Sequence, residues 1–294
     1  MYGMNFNHLL IFHKVAEKEH FTRAAEALFI SQPAVSKQIH ELERTLGQPL
    51  FTQIGRKIYL TEAGRLLFEY TQRIFALSDE VEGVLAEMHD LQRGRLAVGA
   101  STTIGTYLLP ELLGEYRERY PSIELFLDIA NASEVQERLL QNRIEIGLIE
   151  GAVTHDELFK RVWRQDELVL ITANASPLVT KEHLTLQDVY KEPFILREPG
   201  SGTRAVLEAA IATQGLPRLV PFMELGSTEA IKKVVAAGLG ISFVSEHTIA
   251  LERKTHLLQQ VPLMNFTLSR PLYIVYPKQK HLSRAAHMFL ELLG

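Results

Sequence analysis

Between Ser31 and Leu46 the apolar residues Val35, Ile39, Leu42 and Leu46 recur at the spacing of one helical face. Ser31 offers an N-cap oxygen, Pro33 stands in the first turn where its missing N–H costs little, and Gly47 provides a left-handed stop. Opposite the apolar stripe fall Pro33, Lys37, His40 and Arg44, with Ser36 on its flank and Gln32 at the N-terminal tip. The preceding "HFTRAAEALFI" reads as a second helix, capped by Thr22, whose Ala24, Ala25 and Leu28 allow close packing. Two helices joined by "FIS", the second presenting Gln, Ser and Lys near its start, have the layout of a helix-turn-helix. Gln pairs with adenine, Lys with guanine or phosphate, and Ser with either. "LFTQIGRKIYLTEAG" then offers two short extended pieces around Gly55-Arg56-Lys57, a wing whose cations reach phosphate or minor groove. Periodicity alone leaves open a small helical domain with a merely solvated outer face.

Downstream the period changes twice. From Ala63 to Leu91 there is no proline, and Leu67, Ile74, Val81 and Met88 recur every seventh residue. Tyr70, Leu77, Val84 and Leu91 each follow three positions later, completing the a/d pattern of a coiled coil. A long helix lying on its own domain would drift at a period of 3.6, so strict sevens favour a dimer seam. "QRGR" at 92–95 reads as a hinge. Beyond it, "RLAVGA", "IELFLDIA", "EIGLIE", "ELVLITA", "PFILRE", "LVPFMEL", "GISFVS" and "RPLYIVYP" read as strands. They alternate with helical stretches such as "YLLPELLGEYRERY" and "STEAIKKVVAAGLG", which predicts parallel-type sheets covered by helices.

In such folds ligands sit beyond the carboxyl ends of strands, against helix N-termini. Three strand-to-helix junctions fit: Ser101-Thr102-Thr103, Gly200-Ser201-Gly202-Thr203 followed by Arg204, and Gly226-Ser227-Thr228. Any one of them is an ordinary N-cap. Three with surplus hydroxyls, one of them glycine-rich, point to an anion pocket, to which Arg197 and Arg204 would add charge-assisted bonds unless each pairs with a nearby Glu. Asn131 and Glu150, at the ends of two further strands, join the candidate ligand residues.

Composition narrows the class. The 294 residues suit two or three modules, and 46% hydrophobic with 22% charged residues describes a globular chain rather than a disordered one. The absence of cysteine excludes disulfides, thiolate metal sites and cysteine nucleophiles, and fits a reducing cytoplasm. No apolar run approaches a membrane span, and the start is interrupted too early for a signal peptide, where Met4 would serve as a start as well as Met1. Net charge is −4, and residues 1–62 hold seven Lys/Arg against six Glu, so any DNA contact relies on placed charges rather than a broad basic surface.

"FTRAAEALFISQPAVSKQIHELERTLGQPLF" followed by "LTEAGR" closely resembles the N-terminal signature of LysR-type transcriptional regulators. The likeness runs without a gap over Phe21–Phe51 and resumes at Leu60–Arg65. It implies a winged helix-turn-helix in which Gln32, Pro33, Ser36 and Lys37 face the major groove, and a linker helix that dimerises. This chain departs from the family at Gln53, where Arg is usual, which shifts phosphate contact toward Arg56 and Lys57. The region after the hinge resembles the family's two-lobed, periplasmic-binding-protein-like effector domain, with the inducer between α/β lobes joined by two crossover strands. "FILREPGSGTR" resembles the subgroup that includes regulators of carbon fixation and of sulfur or cysteine metabolism.

The expectation is therefore a multidomain, cytoplasmic regulator without catalytic residues, metal or cofactor. Its parts are a winged helix-turn-helix DNA-binding domain (1–62), a coiled-coil linker helix (63–91) and an α/β effector domain (92–294), with lobe one at 95–168 and 268–294 and lobe two at 169–267. Its partners would be an inverted-repeat duplex, a small anionic effector, a second copy in a dimer or dimer of dimers, and RNA polymerase if it activates, but no membrane. An enzyme is disfavoured: "GSGTR" lacks the Lys-Ser/Thr of a P-loop, and no G-x-G-x-x-G, H-E-x-x-H or G-x-S-x-G occurs. A stand-alone solute-binding protein would lack the first 91 residues and carry an export signal.

Overall fold

The computed structural model describes residues 5–55, 57–89 and 94–294, the side chains of 79, 80 and 82–89 excepted. It divides into two compact units, residues 1–82 and residues 83–294 apart from 141–143. Met1–Met4 and the first half of the hinge, Gln92 and Arg93, lie outside the described residues.

The first unit is three helices, a hairpin and the start of a long helix: α1 (Phe6–Lys18), α2 (Phe21–Ala27), α3 (Gln32–Leu46), β1 (Phe51–Ile54), β2 (Lys57–Leu60) and α4 (Glu62–His89). Its core gathers Phe12 and Val15 of α1, Ala24 and Ala25 of α2, Val35, Ile39 and Leu42 of α3, and Leu50. Two expectations are corrected. The cap of α2 is His20, not Thr22: extended backbone at His20 lets its Nδ1 accept the Thr22 N–H at 3.2 Å. The helix also stops at Ala27, so "LFI" belongs to the turn. Glu43 on α3 then anchors the wing, its Oε1 accepting the N–H groups of Leu50 and Phe51 at 2.8 and 3.4 Å. Thr61 Oγ1 accepts from Gly64 N–H at 3.0 Å and donates to the Pro49 carbonyl at 2.7 Å, fixing how α4 leaves the hairpin. Gly64 lies so close to the Leu50 carbonyl that a Cβ would overlap it.

The second unit builds one seven-stranded mixed sheet and a two-stranded one. In chain order its elements are β3 (Gly94–Ser101), α5 (Leu109–Arg119), β4 (Ile123–Ala130), α6 (Ala132–Leu140), β5 (Ile146–Glu150), β6 (Leu158–Ala173), α7 (Leu186–Val189), β7 (Ile195–Arg197), α8 (Gly202–Thr213), β8 (Met223–Leu225), α9 (Thr228–Ala236), β9 (Ser242–Ser245), α10 (Ala250–Lys254), β10 (Leu258–Gln260), β11 (Leu268–Pro277) and α11 (Arg284–Leu293). Only part of the sheet is parallel: β3 pairs in parallel with β4 and β5, whereas β11 runs antiparallel to β5 and β6. At Leu168 the long strand β6 exchanges partners, from β11 to β9, and β10 then pairs along its other edge. The exchange separates two cores. Leu96, Val98, Ile146, Leu148 and Ile274 pack with Tyr116 of α5 and Phe289 of α11, whereas Leu170, Phe194, Leu196 and Phe243 pack with Leu207 and Ile211 of α8.

Candidate DNA-reading and effector sites

Helix α3 begins at an extended Ser31 whose Oγ accepts the Ala34 N–H at 3.3 Å, and it ends at Gly47 with φ of 67°. Because Val35, Ile39 and Leu42 are buried, Gln32, Pro33, Lys37 and His40 are left exposed, with Ser36 half-buried beside them. Two of these side chains are organised on the helix itself: Gln32 Nε2 donates to Ser36 Oγ at 2.9 Å, and His40 Nδ1 lies 2.9 Å from the Ser36 carbonyl. In the wing Ile54 pairs with Lys57 and Gly55 has φ of 63°, which places Lys57 in strand β2 rather than in the turn. Arg56, its companion in the sequence reading, lies outside the described residues.

The heptad residues of α4 divide by burial. Leu67 and Ile74, with Phe68 and Phe75, pack against the core of their own unit. The bland alternative for the helix thus holds for its first turns. Tyr70, Leu77 and Val81 are exposed at 53, 55 and 50% and have no such core partner among the described residues. The side chains of Val84 and Met88 lie outside those described.

In the second unit the three hydroxyl-rich junctions converge on one seam. Ser101, at the end of β3, donates to the Glu150 carboxylate at the end of β5. Glu150 lies 3.6 Å from Arg270 Nη1, and Arg270, fully buried, meets Asp166 through Nε at 2.8 Å and Thr203 through Nη1 at 2.8 Å. Asp166 and Arg270 are direct partners on the antiparallel strands β6 and β11, and Ser245 Oγ donates to the same Asp166 at 2.6 Å. Nearby, Arg197 grips Glu198 with Nε and Nη2 at 2.7 and 2.9 Å, and reaches Thr228 at 3.2 Å and Thr102 at 3.3 Å. Gly200 (φ 86°) backs onto the Asn131 side chain, which itself accepts the Glu134 N–H to open α6. Gly202 lies so close to Glu150 that a Cβ would overlap its carbonyl and Cγ. Ser227 caps α9 by accepting from Ala230, while Thr103 is buried at the head of a π-turn without capping it. Ser201, 2% exposed at the start of α8, neither caps the helix nor finds another partner for its hydroxyl among the described residues.

Arg204 is not brought to this seam. Its guanidinium donates to Glu208, Glu224 and the Arg197 carbonyl, at 2.9, 2.5 and 2.9 Å, so it serves the packing of α8 against β7 and β8. Burial works against its charge, but the two carboxylates hold its pKa above the ordinary value. The seam's cations are also answered internally: Arg197 and Arg270 face Glu198, Asp166 and Glu150. Among the described residues no group of three or more His, Asp or Glu is placed to hold a metal, and no helix is long and apolar enough to cross a membrane.

Residues 6–65 match the family model "Bacterial regulatory helix-turn-helix protein, lysR family", and residues 89–294 match "LysR substrate binding domain". The chain belongs to the LysR family of transcriptional regulators. It is a DNA-binding regulator with an effector-binding domain, not an enzyme. The regulator is 38% identical over 283 residues to the HTH-type transcriptional activator CmpR of Synechocystis, covering 96% of this chain and 92% of that one. A probable RuBisCO transcriptional regulator of Cyanidioschyzon merolae is 37% identical over 288 residues, covering 96 and 95%. Among solved structures, the regulatory domain of Synechocystis CcmR in complex with 2-PG superimposes with a TM-score of 0.64 at 31% identity, over 68% of this chain and 96% of that one.

Arg270, Asp166 and Glu198 join the site only through the structure, and for Arg270 and Asp166 no local sequence signal marks them. They stand 104 positions apart, and only the pairing of β6 with β11 joins them. Tyr107 and Lys232 were missed in the same way. Tyr107 donates to Glu229, and its ring lies 5.1 Å from Lys232 Nζ, itself held by Glu229, Glu252 and the Thr248 carbonyl at 2.7, 2.8 and 2.8 Å.

Proposed function

We propose that this regulator reads an inverted-repeat operator as a homodimer and responds to a small anionic metabolite bound in the seam around Arg197 and Ser201. The observation that carries the effector half is the Ser201 hydroxyl, buried without a partner at the N-terminal end of a twelve-residue helix. A buried unpaired hydroxyl costs free energy, and the positive end of a helix dipole beside it favours an anion. An oxyanion accepting from Ser201 would relieve that cost. Arg197 is already paired, so the anion enters by exchange: it takes the place of Glu198, the more exposed of the two, on the guanidinium fork. Thr102 and Thr228, both on Arg197, then hold the new ligand between the two cores. CcmR, which binds 2-PG, supports a small effector of this kind.

On the DNA side, Gln32, Pro33, Ser36 and Lys37 enter the major groove, and Lys57 with Arg56 meets the backbone. Tyr70, Leu77 and Val81 supply the dimer seam, which matches two reading heads to two half-sites. Effector exchange shifts the arrangement of paired dimers and so the spacing or bend of the DNA they hold.

Thermal-shift titration with a panel of small anions including 2-PG tests the site, because a ligand that favours the folded state raises its melting temperature. The wild type should be stabilised by at least one anion, Arg197→Ala by none, and Glu198→Gln at a lower anion concentration than wild type. Equal responses in wild type and Arg197→Ala would remove the assignment.

A further inference from the structure

The turn between α2 and α3 contains a residue that neither its backbone nor its packing explains. Phe29 N–H bonds the Glu26 carbonyl at 3.2 Å and Ile30 N–H bonds the Ala25 carbonyl at 3.1 Å, the paired hydrogen bonds of a left-handed helix stop. Phe29 accordingly has φ of 56°, a conformation that glycine or asparagine adopts with far less steric cost than a bulky side chain. The residue is 95% exposed, so burial within the unit offers no compensation. The chain thus holds an aromatic ring in solvent two residues before Ser31, at the same end of α3 as Gln32 and Pro33.

We infer that Phe29 is a base-contacting residue that packs on a thymine methyl group in the major groove. The inference rests on the reading-head assignment above and extends it from hydrogen-bonding groups to an apolar one. The exposed side chain stands outside the unit's core, next to the end of α3 that presents Gln32 and Pro33. Within the groove, the C5-methyl of thymine is the apolar feature that such a ring recognises. This also suits a reading face with little net positive charge, where specificity comes from a few placed contacts rather than general attraction.

The test uses the full-length protein and a duplex selected by it from a randomised pool, prepared with thymine or with deoxyuridine at each half-site position in turn. Deoxyuridine removes the methyl and leaves base pairing intact. Wild type should lose about fourfold in affinity at one position per half-site, the equivalent of one buried methyl. Phe29→Gly should show that loss on thymine DNA and become indifferent to deoxyuridine there, while its melting temperature is unchanged or higher. Lys37→Ala is the control for the parent reading. If Lys37→Ala weakens binding but Phe29→Gly does not, the Phe29 contact alone is wrong. If wild type is indifferent to deoxyuridine everywhere, the thymine partner is wrong. If neither variant weakens binding, the reading head itself is misplaced and the Phe29 contact falls with it.

Discussion

Arg270 sits without solvent between two carboxylates, Asp166 and Glu150, with Thr203 taking a further hydrogen bond. Truncating a buried ion of this kind leaves its partners charged and unpaired, which costs far more than the intact pair gains. Arg270→Ala is therefore expected to lower unfolding free energy by about 3–5 kcal/mol in urea denaturation. Gly202 shows the same closeness in a different form. A methyl group there would push on the Glu150 carbonyl and Cγ, so Gly202→Ala should spread the strands from α8 and lower the melting temperature. The effect should exceed that of Gly215→Ala at the far end of α8, where a Cβ meets nothing but the backbone sits at φ 68°. Ser31→Ala removes the cap of α3 and is expected to cost about 1 kcal/mol.

Along α3 the burial of Val35, Ile39 and Leu42 was legible because a 3.6-residue stripe, an N-cap serine and a glycine stop all agree. The end of α2 was not, since nothing in "ALFI" announces a left-handed phenylalanine. The first half of β6 was missed for a different reason. "LFKRVWRQD" holds four apolar residues, Leu158, Phe159, Val162 and Trp163, but they fall in adjacent pairs along a mostly exposed stretch, so the alternation that a strand reading depends on is absent. The hydroxyls of the seam and Glu150 were legible as residue types at strand ends and junctions, but the Arg270–Asp166 pair behind them joins strands remote in sequence. Helix α4 lies between these cases: its sevens were visible, yet Leu67 and Ile74 serve the unit's own core. The exposed remainder gives a prediction. Leu77→Glu with Val81→Glu should shift sedimentation from dimer toward monomer while leaving the helical circular dichroism of the first unit intact.

A net charge of −4 sets how the whole molecule meets DNA. With seven Lys/Arg against six Glu in residues 1–62, salt dependence should be shallow, and Arg56→Ala should reduce its slope by about one per protomer, about two per dimer. Lys37→Ala should weaken operator binding instead. In the other unit the guanidinium groups of the seam are already paired with carboxylates, so control by a ligand requires exchange rather than simple capture. The most direct measurement is fluorescence anisotropy of the selected duplex with wild type and Arg197→Ala, titrated with an anion that raises the wild-type melting temperature. Wild-type DNA affinity should change with the anion, while Arg197→Ala should bind the duplex equally well and fail to respond. A full response in Arg197→Ala, or none in wild type, would contradict it.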